Sequence, residues 1–97
     1  MTKAEIVTKI SDDLGIEKSD VLATLESFMR EVKESLQSGN NVYLRGFGSF
    51  VIKTRAEKIG RNILKNTSIK IPAHNIPSFK PSKIFLEVVK RKVRVNN

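Results

Sequence analysis

Apolar residues recur with the period of a helix in the first part of the chain and with the period of a strand further on. Ile6, Val7, Ile10 and Leu14 share one side of a helical wheel, directly behind Thr2-Lys3-Ala4-Glu5. That tetrapeptide has the form of a capping box: the Thr2 hydroxyl can accept from the Glu5 backbone N–H while the Glu5 side chain reaches back. Gly15 predicts the stop. A second helix is expected to start at Ser19 or Asp20. Val21, Leu25, Phe28, Val32 and Leu36 form its apolar stripe, widened by Leu22 and Met29, and Gly39 closes it. Together these segments predict an antiparallel helical hairpin over residues 2–39.

Asn40-Asn41 reads as a turn and Val42-Tyr43-Leu44 as the start of a sheet. After Gly46 and Gly48 the strand resumes, with Phe50 and Ile52 pointing one way and Val51, Lys53 and Arg55 the other. Residues 56–73 carry β-branched residues and cations but little to bury. Residues 54–74 therefore predict a two-stranded arm projecting from the body. Its turn falls at Leu64-Lys65-Asn66-Thr67, where Asn66 tolerates a left-handed conformation. Ile76-Pro77-Ser78-Phe79-Lys80-Pro81 returns as a strand whose prolines suit an edge. Ser82 can cap a last helix with Ile84, Phe85, Val88 and Val89 on its apolar face. Lys90-Arg91-Lys92 at its C-terminal end favour the helix dipole, and 93–97 reads as a frayed tail. The expected fold class is α+β in a single domain, 1–97: hairpin 2–39, sheet and arm 42–81, C-terminal helix 83–92. Ninety-seven residues leave no room for a second core.

Charge sharpens this picture. Residues 1–52 hold 6 Lys/Arg against 8 Asp/Glu, whereas residues 53–97 hold 12 against 2. A solubilising charge would be spread evenly, so this asymmetry points to a directed polyanion site. Nucleic acid is the first candidate partner and an anionic membrane the second. The absence of cysteine excludes disulfides, thiol chemistry and Cys-ligated zinc, and is compatible with a reducing cytoplasm. Met1 leads straight into a capped amphipathic helix, so no leader peptide is expected. No apolar run approaches the roughly 20 residues that span a bilayer.

Two motifs concentrate the chemistry: Arg45-Gly46-Phe47-Gly48-Ser49-Phe50 and Phe79-Lys80-Pro81-Ser82-Lys83. Each joins aromatic anchors to Gly or Pro and to cations. Phe47, Phe50 and Phe79 alternate with polar neighbours, which predicts a core or dimer contact in preference to stacking platforms for single strands. Gly46 and Gly48 read as a tight turn permitting close packing. Lys53, Arg55, Lys58, Arg61, Lys70, Lys80 and Lys83 gather on two strands and a helix start around the arm, with few acids between. That is an arrangement for phosphates, with salt-dependent affinity and little sequence information. Lys3 and Glu26 can pair on the hairpin surface. His74 stands alone without clustered acids, so no metal site is expected. Asp12-Asp13 reads as a surface feature. Ser49 has no base partner, and no cofactor or catalytic constellation is indicated.

In this order and spacing the motifs resemble the bacterial HU/integration host factor family of histone-like proteins. The likeness covers nearly the whole chain. It rests on the hairpin, on Gly46-Phe47-Gly48-Ser49-Phe50, Gly60-Arg61-Asn62 and Ile71-Pro72-Ala73, and on Phe79-Lys80-Pro81-Ser82-Lys83. The resemblance implies a three-stranded antiparallel sheet, an intertwined dimer (a homodimer, or one subunit of a heterodimer) and two β-arms that reach around double-stranded DNA and bend it. This family is itself a standing example of such architectural binding. The implied DNA-binding set is Lys3 on flanking DNA, Arg45, Lys53, Arg55, Lys58, Arg61, Asn62, Ile63, Lys70, Lys80 and Lys83. Family members usually carry proline after Arg-Asn at the arm tip, as a wedge between base pairs. Here the position is Ile63, followed by Leu64, and both are apolar enough to wedge. The tail after Val89 is longer and more basic than usual.

The expected function is thus non-enzymatic, largely sequence-nonspecific binding, bending and compaction of a bacterial chromosome, cytoplasmic and nucleoid-associated. Few side chains other than Arg61 and Asn62 look placed for base edges, so sequence preference is expected to be low. A site-specific architectural factor is the alternative within the class, separable by comparing random DNA with a selected site. A membrane-surface role is disfavoured by the short, interrupted C-terminal helix. An RNA module is disfavoured because no RNP-type aromatic motif or GXXG loop is present.

Overall fold

Capping and glycine chemistry set the helix limits. The structure, a computed structural model, describes residues 1–62, 64–65 and 67–96. It divides into two compact units, residues 1–35 and 36–97. In the first, α1 spans Lys3–Leu14. The Thr2 hydroxyl accepts from the Glu5 N–H at 3.2 Å and lies 3.3 Å from the Glu5 carboxylate, to which it donates. Gly15, at φ 69°, closes α1 by donating its N–H to the Ser11 carbonyl. The Ser11 hydroxyl also donates to the Ile16 carbonyl at 2.5 Å, folding the connection back on the helix.

Helix α2 spans Lys18–Gln37 and starts before the expected Ser19 or Asp20. The reason lies one turn upstream: the Glu17 carbonyl accepts from the N–H groups of both Asp20 and Val21, each at 3.0 Å. Val7 of α1 and Val21 of α2 are the only buried hydrophobic residues among those described. Leu14, Ile16, Leu22 and Phe28 remain well exposed.

The second unit is built on an antiparallel sheet of β1 (Val42–Leu44), β2 (Gly48–Arg55) and β5 (His74–Pro81), in the order β1-β2-β5. β5 is an edge strand, which accommodates Pro77 and Pro81. The β2–β5 ladder runs from Gly48 opposite Pro81 to Arg55 opposite His74. The body sheet thus reaches further than expected, and residues 54–55 and 74 belong to it. One cause is visible: the Thr54 hydroxyl donates to the Asn75 side-chain oxygen at 2.7 Å. A separate two-stranded sheet follows, β3 (Lys58–Asn62) paired with β4 (Thr67–Ile71). The arm is therefore confined to this shorter ladder. Thr67 opens β4 and is not part of the turn. Asn66, the expected left-handed turn residue, lies outside the described residues.

The connection from β1 to β2 is a tight turn. Phe47 donates its N–H to the Leu44 carbonyl at 2.9 Å, and Gly46 takes φ 84°, a conformation most side chains resist. Gly48 is needed for another reason. A Cβ there would lie 2.6 Å from the Lys80 carbonyl oxygen and 2.6 Å from Cζ of Phe79. Helix α3, Lys83–Lys92, begins where this turn is tied down. Ser82 donates its N–H to the Phe47 carbonyl (2.9 Å) and its hydroxyl to the Gly46 carbonyl (3.0 Å), while that hydroxyl accepts from the Phe85 N–H (3.2 Å). One serine thus caps the helix and locks both motifs together.

Candidate nucleic-acid interface

Strand register sorts the body sheet into two chemically opposite faces, because directly paired residues share a face. Val42, Phe50 and Phe79 form one rank across the three strands, next to Leu44, Gly48 and Pro81. Tyr43, Ser49 and Lys80 form the adjacent rank, on the other face. That second face continues along β2 and β5 with Val51 and Ser78, Lys53 and Ile76, then Arg55 and His74. The expected cations Lys53, Arg55 and Lys80 are therefore brought onto one side of the sheet, away from the aromatic rank.

Beside that face, Tyr43, Arg45, Ser49 and Lys80 line an open groove of about 630 Å³. Lys83 is exposed at the first residue of α3. Cations on a rigid sheet can hold a polyanion by neutralising its charges and releasing its counterions.

The arm divides its residues differently. Arg61 and Lys70 share one face with Ile59 and Ser68, whereas Lys58 and Asn62 lie on the opposite face with Ile69 and Ile71. Lys70 is also ion-paired with Glu57 at 2.9 Å, one of the few acids between the arm cations. Asn62 turns inward: its side-chain oxygen accepts from the N–H groups of Leu64 and Lys65 at 3.1 and 3.3 Å, shaping the arm's turn. Leu64 is 97% exposed at that turn. Ile63, the other expected wedge, lies outside the described residues.

Lys3 sits in the hairpin unit, 2.5 Å from Glu26, as expected from the sequence. The Glu26 carboxyl is held below the usual carboxylate range. The main cause is the hydrogen bond from Lys3, followed by the charge of Lys3; desolvation opposes them, and the charges of Arg30 and Lys33 add the smallest contributions.

The aromatic face is only partly closed within its own chain. Phe47, Phe50 and Phe79 do pack together, with ring centroids 5.2 Å apart for Phe47–Phe79 and 5.1 Å for Phe50–Phe79. Phe85 of α3 stacks on Phe47 at 5.5 Å. Yet Phe47 is 48% and Phe79 38% exposed, so a single chain does not bury them. Phe79, Pro81, Phe85, Leu86 and Val89 line an apolar groove of about 260 Å³. One chain supplies the aromatic cluster but not its cover.

His74 bonds through Nδ1 to the Pro72 carbonyl at 3.0 Å, and no metal-ligating cluster of His, Cys, Asp or Glu occurs among the described residues. No described helix is long and apolar enough to cross a membrane. Sequence reasoning passed over Tyr43. Its only signal was its place between Val42 and Leu44, opposite to both in a three-residue strand.

Comparison with known proteins agrees with this architecture. The family described as bacterial DNA-binding protein matches residues 1–90. The chain is 36% identical over 92 residues to the SPbeta prophage-derived DNA-binding protein HU 2 of Bacillus subtilis, covering 95% of this chain and all of that protein. It is 36% identical over 97 residues to integration host factor subunit alpha of Aliivibrio fischeri, covering all of this chain and 93% of that subunit. Among solved structures, an Anabaena HU–DNA cocrystal structure superposes with a TM-score of 0.86 at 35% identity, over 92% of this chain and 97% of that one. The α+β fold, the paired motifs and the near-complete coverage together make this chain a member of the bacterial DNA-binding protein family that includes HU and the integration host factor subunits.

Proposed function

We propose that this protein binds double-stranded DNA with low sequence preference and bends it, as a non-enzymatic, histone-like component of the bacterial nucleoid. The observation that carries the proposal is the segregation of the sheet. Lys53, Arg55 and Lys80 share the face opposite Phe50 and Phe79, and the arm beyond carries Lys58, Arg61 and Lys70. Phosphate contacts from the sheet and the groove beside Arg45 fix the protein on the duplex and supply most of the affinity. The arm follows the duplex, and Leu64 with Ile63 unstacks a base step at its tip. The wrapped contacts offset the deformation. Residues 1–97 act in this as one functional domain, with Lys3 touching flanking DNA once its bond to Glu26 opens.

The working species is a dimer. The half-exposed aromatic cluster, extended by Leu86 and Val89 of α3, is the surface a second copy covers, since an apolar patch of this kind is rarely left to solvent. Sedimentation at micromolar concentration should show a dimer whose unfolding midpoint rises with concentration. A stably folded monomer contradicts this.

Gel shifts at several salt concentrations, on linear, nicked and cruciform duplexes of unrelated sequence, test the function. The expected result is strong salt dependence, little dependence on sequence, and tighter binding where a base step is already open. Failure to bind any duplex at low salt refutes the proposal. Strong preference for one selected sequence assigns the protein to the site-specific branch of the family.

A further inference from the structure

Tyr43 is 72% exposed, although it lies in the middle of a strand. It shares its rank with Ser49 and Lys80 and lines the groove that Arg45 also lines. Its hydroxyl is not left to rotate at random. The Asn41 side-chain oxygen accepts from the Ile52 N–H at 3.0 Å, which extends the β1–β2 pairing by one side chain. That contact fixes the orientation of the amide, because only the oxygen can accept. The Asn41 NH₂ group then faces Tyr43 and donates to its hydroxyl at 3.3 Å. With an acceptor site of the phenol occupied by Asn41, its own proton is left to donate to another group.

From this geometry we propose that Tyr43 is a further DNA-contacting residue, whose hydroxyl donates to a backbone phosphate oxygen of the duplex seated between Arg45 and Lys80. Tyrosine hydroxyls are among the groups that make such positioning contacts. The inference rests on the DNA-binding reading above and adds a distinct property. A neutral donor strengthens binding without displacing a counterion, so it raises affinity at every salt concentration and leaves the salt slope alone.

The chain holds one tyrosine and no tryptophan, so its ultraviolet emission reports on Tyr43 alone. Titrating the intact protein with a random duplex should change that emission in step with complex formation seen by gel shift. Tyr43→Phe keeps the ring and the strand, and circular dichroism checks its fold. It should bind roughly threefold to tenfold more weakly, the loss expected for one hydrogen bond. Its plot of log affinity against log salt should run parallel to that of the parent. Arg45→Ala, by contrast, should flatten that plot. The inference is overturned if the parent binds duplex while its emission stays constant and Tyr43→Phe binds as the parent does. It is also overturned if Tyr43→Phe changes the slope. If the parent binds no duplex at all, the functional proposal itself has failed, which the gel shift reports independently of Tyr43.

Discussion

Replacing Gly48 with alanine should destabilise the protein through crowding and not through backbone strain. The added methyl would sit 2.6 Å from the Lys80 carbonyl oxygen and 2.6 Å from the Phe79 ring. The ring can swing aside, although Phe79 is itself held between Phe47 and Phe50. The carbonyl belongs to the paired β5 backbone opposite Ser49 and cannot move without loosening the ladder. Overpacking of this kind costs about 1–3 kcal/mol, and the backbone partner places Gly48→Ala toward the upper end. For a domain of this size, about 2–3 kcal/mol lowers the melting temperature by roughly 10–20 °C. The neighbouring turn gives the control. Gly46 has open space around a Cβ but a φ of +84°, so its constraint is purely conformational. Asparagine tolerates that region, and Gly46→Asn should cost less than about 1 kcal/mol. Gly48→Asn should be at least as damaging as Gly48→Ala. Thermal and urea melts at one fixed protein concentration decide the matter. If Gly48→Ala melts with the parent, or Gly46→Asn is the worse of the two asparagine variants, the close approach of β5 to Gly48 is wrong.

Other perturbations separate the remaining roles. Lys53→Ala and Arg55→Ala should each weaken binding to all duplexes alike and lower the salt slope by about one unit in a salt-series gel shift. Leu64→Ala should leave that slope unchanged and reduce bending, read by fluorescence energy transfer across an end-labelled duplex, with less loss of affinity on nicked DNA. Glu26→Gln tests the pH dependence. The folded-state pKa of Glu26 is depressed by Lys3. Its stabilising contribution is therefore present at neutral pH and is lost as pH falls below the ordinary carboxylate range, through the depressed value. The variant should show a shallower loss of stability on acidification, measured by denaturant midpoints across pH, and the effect should be small because the pair is exposed.

What the chain makes readable before folding is mostly local. Thr2 and Glu5, Gly15, Gly39 and Ser82 announce helix limits through short-range hydrogen bonding, and these limits hold in the structure. Alternation in residues 48–55 separates Phe50 from Lys53 and Arg55 without knowledge of the partner strands. Features that depend on register were harder to see. Tyr43 acquires meaning only when β1 pairs with β2 and sets it level with Lys80. Glu57 and Lys70 meet because the arm folds back on itself. The inward turn of the Asn62 side chain follows from the geometry of the arm tip and not from residue type alone. The half-exposed Phe47 and Phe79 mark the point where one chain's sequence stops short, since the surface that would cover them is not encoded next to them.

The central claim is that one face of the sheet, with the arm, takes the duplex while the aromatic face does not. Backbone and side-chain NMR shifts followed during titration with a short random duplex test this most directly. The predicted result is a set of perturbations concentrated at Tyr43, Arg45, Ser49, Lys53, Arg55 and Lys80 and along the arm ladder of residues 58–71. The rings of Phe50 and Phe79 should stay near their free positions. Perturbations confined to the aromatic rank or to the α1–α2 hairpin, with the cationic face silent, would contradict the account.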